Sequence, residues 1–323
     1  MRIGYSLGSL LSIPEILECS KILSKYNPDS IWIPETWGVE GLSMITAVSQ
    51  RVKDSKIGSS IINIYSRSPS LIAMGAATVD ALSNGRLILG LGTSSEPIVQ
   101  DWHGIEFSRP VQRMRECVEI IRLIISGNKV NYDGKVFHLK NFTLLIWPPR
   151  KKIPIYMAAV NQKMVELAWE VADGVIFYLR PISELQNTIQ KMQSKKRIDV
   201  SCQFITCISD DADKALDRAK KTLAFYISVG KIYREFLAKN GFAKETGMIY
   251  DEYKKSGLQT NYKLVSKSML ESLTICGTPE DCKKKLDKFV RAGVSLPIIQ
   301  FNPIGDVTKS FKLLASTLSG SKN

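Results

Sequence analysis

Apolar and polar residues alternate in blocks along the chain, and the block from Ile153 to Tyr178 is especially regular. It opens with the apolar run IPIYMAAV, continues with NQKMVELAWEV and closes with ADGVIFY. The first run lacks the polar alternation of a half-exposed strand and predicts a strand buried on both faces. The middle run places apolar residues at helical spacing. Asp173 and Gly174 end this helix and a second buried strand follows, so the block predicts a βαβ unit and a parallel sheet.

The same rhythm runs through the whole chain and predicts eight strands. Their expected ranges are 2–7, 29–34, 56–62, 86–91, 153–160, 172–178, 199–209 and 296–302. Helices are expected at 13–24, 42–52, 68–82, 111–126 and 161–171 and from about 307, and an Asp-Gly pair within 130–137 predicts a hairpin. This pattern predicts a single domain, residues 1–323, folded as an α/β protein of the (β/α)₈ TIM barrel type. The polar, tyrosine-bearing stretch 210–272 exceeds one helix, and we expect a helical insertion or lid there, before the last strand.

Composition excludes several classes of protein. Hydrophobic residues make up 44% of the chain and charged residues 23%, as in ordinary soluble proteins. No apolar run approaches the ~20 residues of a membrane span, and the chain enters a strand-like run at once, so we expect no membrane association, no signal peptide and a cytoplasmic location. Six cysteines without a CxxC pair and only two histidines predict neither structural disulfides nor a metal site.

The net charge of +13 raises the question of a nucleic-acid partner. The basic residues are spread along the chain, and the densest clusters, 150–152, 195–197 and 283–285, lie at helix or loop edges without interleaved aromatic residues. We therefore predict no nucleic-acid partner. Solvated surfaces account for most of this charge, and attraction of a polyanionic small molecule is the functional alternative.

Loops that leave the carboxyl ends of parallel strands carry the ligand site in such folds. Two such loops carry small residues: 158–161 and Gly92-Thr93-Ser94. Small side chains there either let a flat ligand lie close to the backbone or only allow a tight turn to pack. Ser68 begins a helix, as an anion site or as an ordinary cap. Glu35 and Glu96, at two strand ends, are the candidate acids; the alternative for each is a rim charge that faces water.

Several segments together are typical of one family. They are Asn63-x-Tyr65-Ser66-Arg67-x-Pro69, Gly85-Arg86-x-x-Leu89-Gly90-Leu91-Gly92, Ile153-Pro154-Ile155-Tyr156-Met157-x-Ala159, Lys163-Met164-x-Glu166-Leu167-Ala168, Ala172-Asp173-Gly174-Val175 and Ile275-Cys276-Gly277-Thr278-Pro279-Glu280-Asp281-Cys282. The chain resembles the luciferase-like superfamily, and within it the coenzyme F-420-dependent 5,10-methylenetetrahydromethanopterin reductases. The likeness is weakest in 210–272.

This resemblance implies a (β/α)₈ barrel that binds coenzyme F-420, an 8-hydroxy-5-deazaflavin, and passes hydride between its C5 and a small-molecule substrate. It implies a homodimer or higher homo-oligomer and a non-prolyl cis peptide at Ser60-Ile61. It assigns the coenzyme contacts to Ser60, Ile61, Asn63, Gly92, Thr93, Ser94, Ala158, Ala159, Val160, Asn161, Gln162, Gly174 and Arg180. Among these, Arg180 is expected to neutralise the coenzyme's phosphate or polyglutamate tail.

The chain departs from the family pattern at the groups that handle protons. Ser6 stands where the reductases carry an acid in the first strand, Glu35-Thr36 replaces Asp-His after the second, and Ser95 aligns with an acid after the fourth. Glu35 is therefore the first candidate for proton transfer and Glu96 the second. Two alternatives remain open: a flavin mononucleotide (FMN)-dependent monooxygenase on the same fold, and a cofactor-binding barrel without catalysis.

Overall fold

Eight parallel strands close into a barrel, which confirms the fold predicted from the sequence. The structure, a computed structural model, describes residues 1–8, 10–26, 28–146 and 148–319. Its strands are β1 (Gly4–Ser6), β2 (Ser30–Ile33), β3 (Lys56–Ser59), β4 (Ile62–Asn63), β5 (Leu87–Gly92), β6 (Val130–Asp133), β7 (His138–Phe142), β8 (Ile155–Ala158), β9 (Gly174–Tyr178), β10 (Asp199–Ile208), β11 (Thr274–Gly277) and β12 (Leu296–Phe301). The barrel order is β1-β2-β3-β5-β8-β9-β10-β12, and β12 pairs with β1.

The helices follow the strands, as a chain of βα units requires. They are α1 (Ile13–Leu23), α2 (Gly41–Arg51), α3 (Pro69–Leu82), α4 (Pro110–Ile125), α5 (Gln162–Val171), α6 (Ile182–Gln193), α7 (Ala212–Val229), α8 (Lys231–Leu237), α9 (Ala243–Ser256), α10 (Lys267–Leu273), α11 (Pro279–Arg291) and α12 (Val307–Leu318). Local sequence sets their starts: the Thr278 and Asp281 side chains form a capping box at α11, and Pro279 occupies its first turn. The hairpin expected near Asp133-Gly134 is confirmed as β6 and β7.

Strand β10 has two different neighbours along one of its edges. Residues Asp199–Gln203 pair with β9, whereas residues Ile205–Ile208 pair with β11, and β12 covers the opposite edge. The barrel wall therefore opens between the carboxyl ends of β9 and β10. A second hydrophobic cluster, built mainly from α7 and its neighbours in 210–272, packs beside this opening. The apolar pattern did not predict β11.

The lower half of the barrel interior is an apolar plug. Side chains of Trp32, Ile88, Tyr156, Ile176, Leu296 and Ile298 form one buried cluster. A Cβ atom on Gly58 would lie 2.4 Å from the Trp32 ring, so this glycine makes room for the indole. Because strand side chains alternate, residues two positions further along face the carboxyl end of the same interior. They include Ser6, Ser60, Ala158, Tyr178 and Gln300 and make the upper layer far more polar than the plug.

Candidate active site at the mouth of the barrel

A cavity of about 240 Å³ lies at the mouth, the rim formed by the carboxyl ends of the barrel strands. It brings together three residues that the sequence singled out, Glu35, Asn63 and Ser94. Its other lining residues are Thr36, Trp37, Gly38, Val39, Glu40, Ser66, Arg67, Ile98 and His103. A larger cavity of about 400 Å³ lies outside the barrel, between α3, α4 and the segment before β8. Since ligand sites of barrel enzymes occupy the carboxyl-terminal mouth, the smaller cavity is the candidate active site.

Glu35 is held at the cavity wall by an ion pair. The Arg67 guanidinium donates to Glu35 Oε1 at 2.7 Å and to Oε2 at 2.8 Å, and the Gly41 amide donates to Oε2 at 2.8 Å. A carboxylate has about four acceptor positions, so Glu35 retains one for a ligand. Arg67 also donates to Glu40, the N-cap of α2. The adjacent carboxylate of Glu35 raises the pKa of Arg67.

The end of β3 carries the non-prolyl cis peptide that the resemblance implies. The bond between Ser60 and Ile61 is cis, which confirms that expectation. Ile61 packs against the apolar plug, and a Cβ atom on Gly92 would lie 2.5 Å from the Ile61 side chain. At Gly90 a Cβ atom would lie only 1.8 Å from the Ser59 carbonyl oxygen. Gly90 and Gly92 therefore leave room for the chain at the end of β3. The space that a side chain would take at either position is occupied by protein atoms.

Buried polar atoms at the mouth point to a bound molecule. Within the described part of the chain, the Ser60 Oγ and Asn63 Nδ2 atoms have no hydrogen-bond partner, although both are buried. The other end of the Asn63 amide is satisfied, because Oδ1 accepts from the Tyr65 amide at 2.9 Å. Buried polar groups in native proteins are paired almost without exception. A ligand with polar edges, such as a deazaflavin, fits these two atoms.

The loop from β8 to α5 is arranged by its own residues and by Arg180. Asn161 caps α5 through a hydrogen bond from the Met164 amide at 3.2 Å, and Ala158, Ala159 and Val160 precede it at the mouth. Gln162 bonds Glu166 on the exposed face of α5.

The Arg180 side chain is almost fully buried and is already neutralised. It donates to both oxygens of Glu184, at 2.5 and 2.6 Å, and to the Val160 carbonyl oxygen. Its guanidinium stacks on Phe177 and Phe236 at 4.5 and 4.6 Å from the ring centroids. Burial lowers the pKa of Arg180, and Glu184 opposes that shift. These contacts favour a role in holding the loop at Val160.

Four other candidates occupy three distinct positions. Thr93 and Ser94 follow β5 at the mouth, and Ser94 has a left-handed backbone with φ of 57°. Glu96 is exposed and is not among the residues that line the cavity. Gly174 begins β9 at the opposite end of the barrel, where a Cβ atom would lie 2.8 Å from the Tyr156 ring. The structure therefore does not bring Gly174 to the site, and packing against Tyr156 explains this glycine.

The structure adds a polar group that the sequence did not single out. Tyr178 and Gln203 are register partners on β9 and β10, and Gln203 donates to Gln300 of β12 at 3.3 Å. Tyr226 and Tyr233, from α7 and α8, place their rings edge-on to Tyr178. Strand alternation signals that Tyr178 and Gln300 face inward, but nothing in the sequence indicates which helix covers them.

A barrel of parallel strands with its cavity at the carboxyl-terminal mouth is the architecture of (β/α)₈ barrel enzymes. Residues 2–296 match the family model described as luciferase-like monooxygenase, and the chain belongs to this family. The described residues include no helix long and apolar enough to cross a membrane.

Relatives match the chain along nearly its whole length. The 5,10-methylenetetrahydromethanopterin reductase of Archaeoglobus fulgidus is 28% identical over 331 residues, which cover 98% of this chain and 98% of that protein. The coenzyme F420-dependent tetrahydromethanopterin reductase from Methanopyrus kandleri has a TM-score of 0.88 at 23% identity, covering 98% and 97% of the two chains. An F420-dependent secondary alcohol dehydrogenase, in complex with an F420-acetone adduct, has a TM-score of 0.81 at 20% identity and covers 98% of both chains. The two solved structures share the fold.

Proposed function

We propose that this chain is a coenzyme F-420-dependent oxidoreductase. The observation that carries the proposal is the pair of buried, unsatisfied atoms beside the cis peptide, Ser60 Oγ and Asn63 Nδ2, at the mouth of the barrel. Full-length similarity to a 5,10-methylenetetrahydromethanopterin reductase supports the choice of coenzyme. When bound, the deazaflavin supplies a carbon that gives or takes a hydride, and the protein supplies position and polarity.

The residues of this chain have separable roles in that site. Ser60 and Asn63 bind the polar edges of the coenzyme, and Ile61 supports it from the apolar plug. The β8–α5 loop, held by Arg180 at Val160, borders it. Holding the two reacting carbons close together and correctly oriented, in a pocket that excludes water, accounts for much of the rate enhancement in hydride transfer.

Glu35 is our proposed proton-handling residue. It lines the cavity, it is fixed by Arg67, and one acceptor position remains for a ligand. Glu96 is the second choice, because it is exposed outside the cavity lining. Ser6, buried in the first strand, supplies no carboxylate at the position where the reductases carry an acid.

For the substrate, we infer a small molecule, and 5,10-methylenetetrahydromethanopterin is the first to test because two relatives that match nearly the whole chain are named for it. We also infer a homo-oligomer in the cytoplasm. The oligomer is supported by α3, which exposes the apolar side chains of Leu71, Met74 and Leu82 on one face, as subunit interfaces often do. The cytoplasm is supported by the six cysteines, all free and buried, which fits a reducing compartment. Light scattering tests the oligomer: a monomeric mass would contradict it.

Titration of the purified protein with F-420 and, separately, with flavin mononucleotide tests the coenzyme. We expect F-420 to bind with about micromolar or tighter affinity, followed by its absorbance, and flavin mononucleotide to bind much more weakly. The opposite preference would replace the proposal with an FMN-dependent monooxygenase. Coenzyme binding without oxidation of reduced F-420, across imine and methylene-pterin substrates, would leave a binding protein without catalysis.

A further inference from the structure

A second pair of unsatisfied polar atoms lies at the mouth, in the upper layer of the barrel interior. The Tyr178 hydroxyl and the Gln203 Oε1 atom are buried, and neither makes a hydrogen bond of acceptable geometry among the described residues, although Tyr226 and Gln300 lie beside the Tyr178 hydroxyl. The two residues are direct neighbours, since Gln203 of β10 is in register with Tyr178 of β9. Leaving such atoms unpaired is costly, so their presence together indicates a ligand.

This pair faces the coenzyme side of the barrel. The strand order places β10 four strands away from β3, which is the opposite side of an eight-stranded barrel. Ser60 and Ile61 follow β3. Tyr178 is the last residue of β9, and Gln203 lies within β10. An eight-stranded barrel is narrow, so groups on opposite strands approach one another across its mouth. A molecule bound by Tyr178 and Gln203 would therefore lie against the coenzyme.

The hydrogen-bond directions of this pair are fixed by their neighbours. Gln203 Nε2 donates to Gln300 Oε1 at 3.3 Å, and Gln300 Nε2 donates to the Tyr226 hydroxyl at 3.5 Å. The Gln203 amide nitrogen is thus engaged by Gln300, which leaves the Gln203 Oε1 atom as a free acceptor on the residue in register with Tyr178. Burial raises the pKa of Tyr178 well above its ordinary value, so the hydroxyl stays protonated and available as a donor. The pair thus offers one donor beside one acceptor.

The described side chains recorded next to this pair, those of Gln300, Tyr226 and Tyr233, are uncharged. Ser6 is in register with Gln300, and the rings of Tyr226 and Tyr233 lie 5.1 and 5.5 Å from the Tyr178 ring. A charged ligand group placed against these neutral side chains would lose its hydration without gaining a partner. An uncharged group that presents a carbonyl next to an N–H satisfies both protein atoms at once.

We propose that Tyr178 and Gln203 bind the lactam edge, an adjacent C=O and N–H, of an uncharged heterocyclic ring of the substrate. This deepens the proposed function and rests on it. The coenzyme's own ring also carries such an edge, but the opposite position of β3 and β10 assigns this pair to the substrate. Both residues position the substrate and take no part in proton or hydride transfer.

The test removes each atom separately, in Tyr178→Phe and Gln203→Met, and Tyr132→Phe is the matched control. Tyr132 lies in the β6–β7 hairpin outside the barrel, and its hydroxyl donates to Glu119. Three quantities are measured for each protein: the dissociation constant of F-420, the dissociation constant of 5,10-methylenetetrahydromethanopterin with the oxidised coenzyme bound, and the thermal unfolding midpoint. Calorimetric titration gives both constants without turnover.

For Tyr178→Phe and Gln203→Met we expect the pterin to bind about tenfold more weakly, with KM raised in parallel and kcat nearly unchanged. F-420 affinity should stay at the wild-type value. The unfolding midpoint of Tyr178→Phe should be unchanged or higher, because an unpaired buried hydroxyl is removed, whereas a hydroxyl with a structural role would lower it. Tyr132→Phe should match the wild type in both affinities.

Other results overturn the inference in distinguishable ways. Weaker F-420 binding in Tyr178→Phe would assign the pair to the coenzyme, and unchanged pterin binding in both variants would remove the pair from the site. Wild-type protein that binds F-420 but not this pterin would also overturn it and leave the proposed coenzyme standing. Wild-type protein that binds no F-420 would overturn the proposed function itself.

Discussion

Arg67 binds both carboxylate oxygens of Glu35, at 2.7 and 2.8 Å, and fixes that carboxylate at the wall of the cavity. Both side chains are mostly buried, with exposed fractions of 15% and 13%. Two parallel hydrogen bonds between a guanidinium and a carboxylate fix orientation as well as charge. Glu35 is therefore both the candidate acid and a structural part of the mouth. Its replacement should affect both turnover and stability.

Glu35→Gln should lower both turnover and stability. The amide replaces one acceptor oxygen with a donor that faces the Arg67 guanidinium, so unfolding should need about 1.5–3 kcal/mol less. Turnover should fall about 10²–10⁴-fold if Glu35 handles a proton, with F-420 affinity nearly unchanged. Steady-state kinetics well below the unfolding midpoint separates the two effects.

Two further variants serve as controls for Glu35. Glu40→Gln weakens the half-exposed outer partner of Arg67, which also caps α2, and should cost at most about 2 kcal/mol with turnover unchanged. Glu96→Gln should leave both properties unchanged. If turnover survives in Glu35→Gln and collapses in Glu96→Gln, the proton-handling role belongs to Glu96. Survival in both variants would mean that neither carboxylate drives the reaction.

The close contact between Gly90 and Ser59 predicts that a single methyl group added at Gly90 severely destabilises the fold. In Gly90→Ala the new Cβ atom would lie 1.8 Å from the Ser59 carbonyl oxygen, and the Ser59 hydroxyl is already bonded to both main-chain groups of Gly90. We expect a loss of at least about 3 kcal/mol in the free energy of unfolding, or insoluble protein. Urea denaturation measures it.

Gly247→Ala is the matched control for that substitution. Gly247 lies within α9, and no described atom beyond its chain neighbours and the backbone of its own helix comes within 4 Å of a Cβ built there. Alanine should therefore stabilise the protein by about 0.5–1 kcal/mol through its higher helix propensity. A Gly90→Ala protein as stable as the wild type would show that β3 moves away from β5 at little cost.

The sequence predicts the barrel well because each βα unit carries its own periodicity. Buried strands appear as short apolar runs such as 296–302, and helices as amphipathic stretches such as 111–126. Strand β11 escapes this logic, since Thr274–Gly277 is four residues long and is defined by its pairing with β10. Pairing between segments distant in sequence leaves no local pattern.

The site is predictable only in part, for a related reason. Glu35, Asn63 and Ser94 follow strand ends, so topology alone brings them to one cavity. The sequence does not predict the ion pairs of Arg67 with Glu35 and of Arg180 with Glu184, because each depends on the directions that side chains take across loops. Tyr226 adds a further case, because α7 carries it to the mouth from a stretch with the weakest family likeness.

Glu116 predicts a pH dependence of stability. Burial opposes its ionisation, but hydrogen bonds from Gln112 and from the amides of Lys135, Val136 and Phe137 outweigh burial and lower the pKa of Glu116. A carboxyl whose folded pKa is lowered stabilises the fold above its unfolded pKa of about 4.3. That contribution is lost as the pH falls through the folded value.

Glu116→Gln should therefore lower the unfolding free energy by about 1.5–3 kcal/mol at neutral pH, because an amide cannot accept all four bonds. The difference from the wild type should shrink as the pH falls below about 4, as measured by urea denaturation across pH. Glu96→Gln, at an exposed site, should reproduce the wild-type profile. A difference between wild type and Glu116→Gln that stays constant down to low pH would contradict the link to ionisation.

The ion pair of Arg180 with Glu184 predicts how this arginine acts on the coenzyme. If the guanidinium serves to hold the β8–α5 loop, Arg180→Gln leaves a carboxylate without its partner and should cost about 3–5 kcal/mol of unfolding free energy. The double variant Arg180→Gln/Glu184→Gln should recover part of that loss, since it removes both charges. F-420 affinity should fall in the single variant together with stability.

Ionic strength distinguishes this role from direct contact with the coenzyme's phosphate. An exposed charge that binds a phosphate is screened by salt, so its removal should flatten the dependence of F-420 affinity on salt. A guanidinium already paired with Glu184 and stacked on Phe177 and Phe236 adds little to that dependence. We therefore expect wild type and the double variant to have the same slope of affinity against salt. A flatter slope in the double variant, with stability intact, would return Arg180 to the role that the family resemblance implies, at the coenzyme's phosphate or polyglutamate tail.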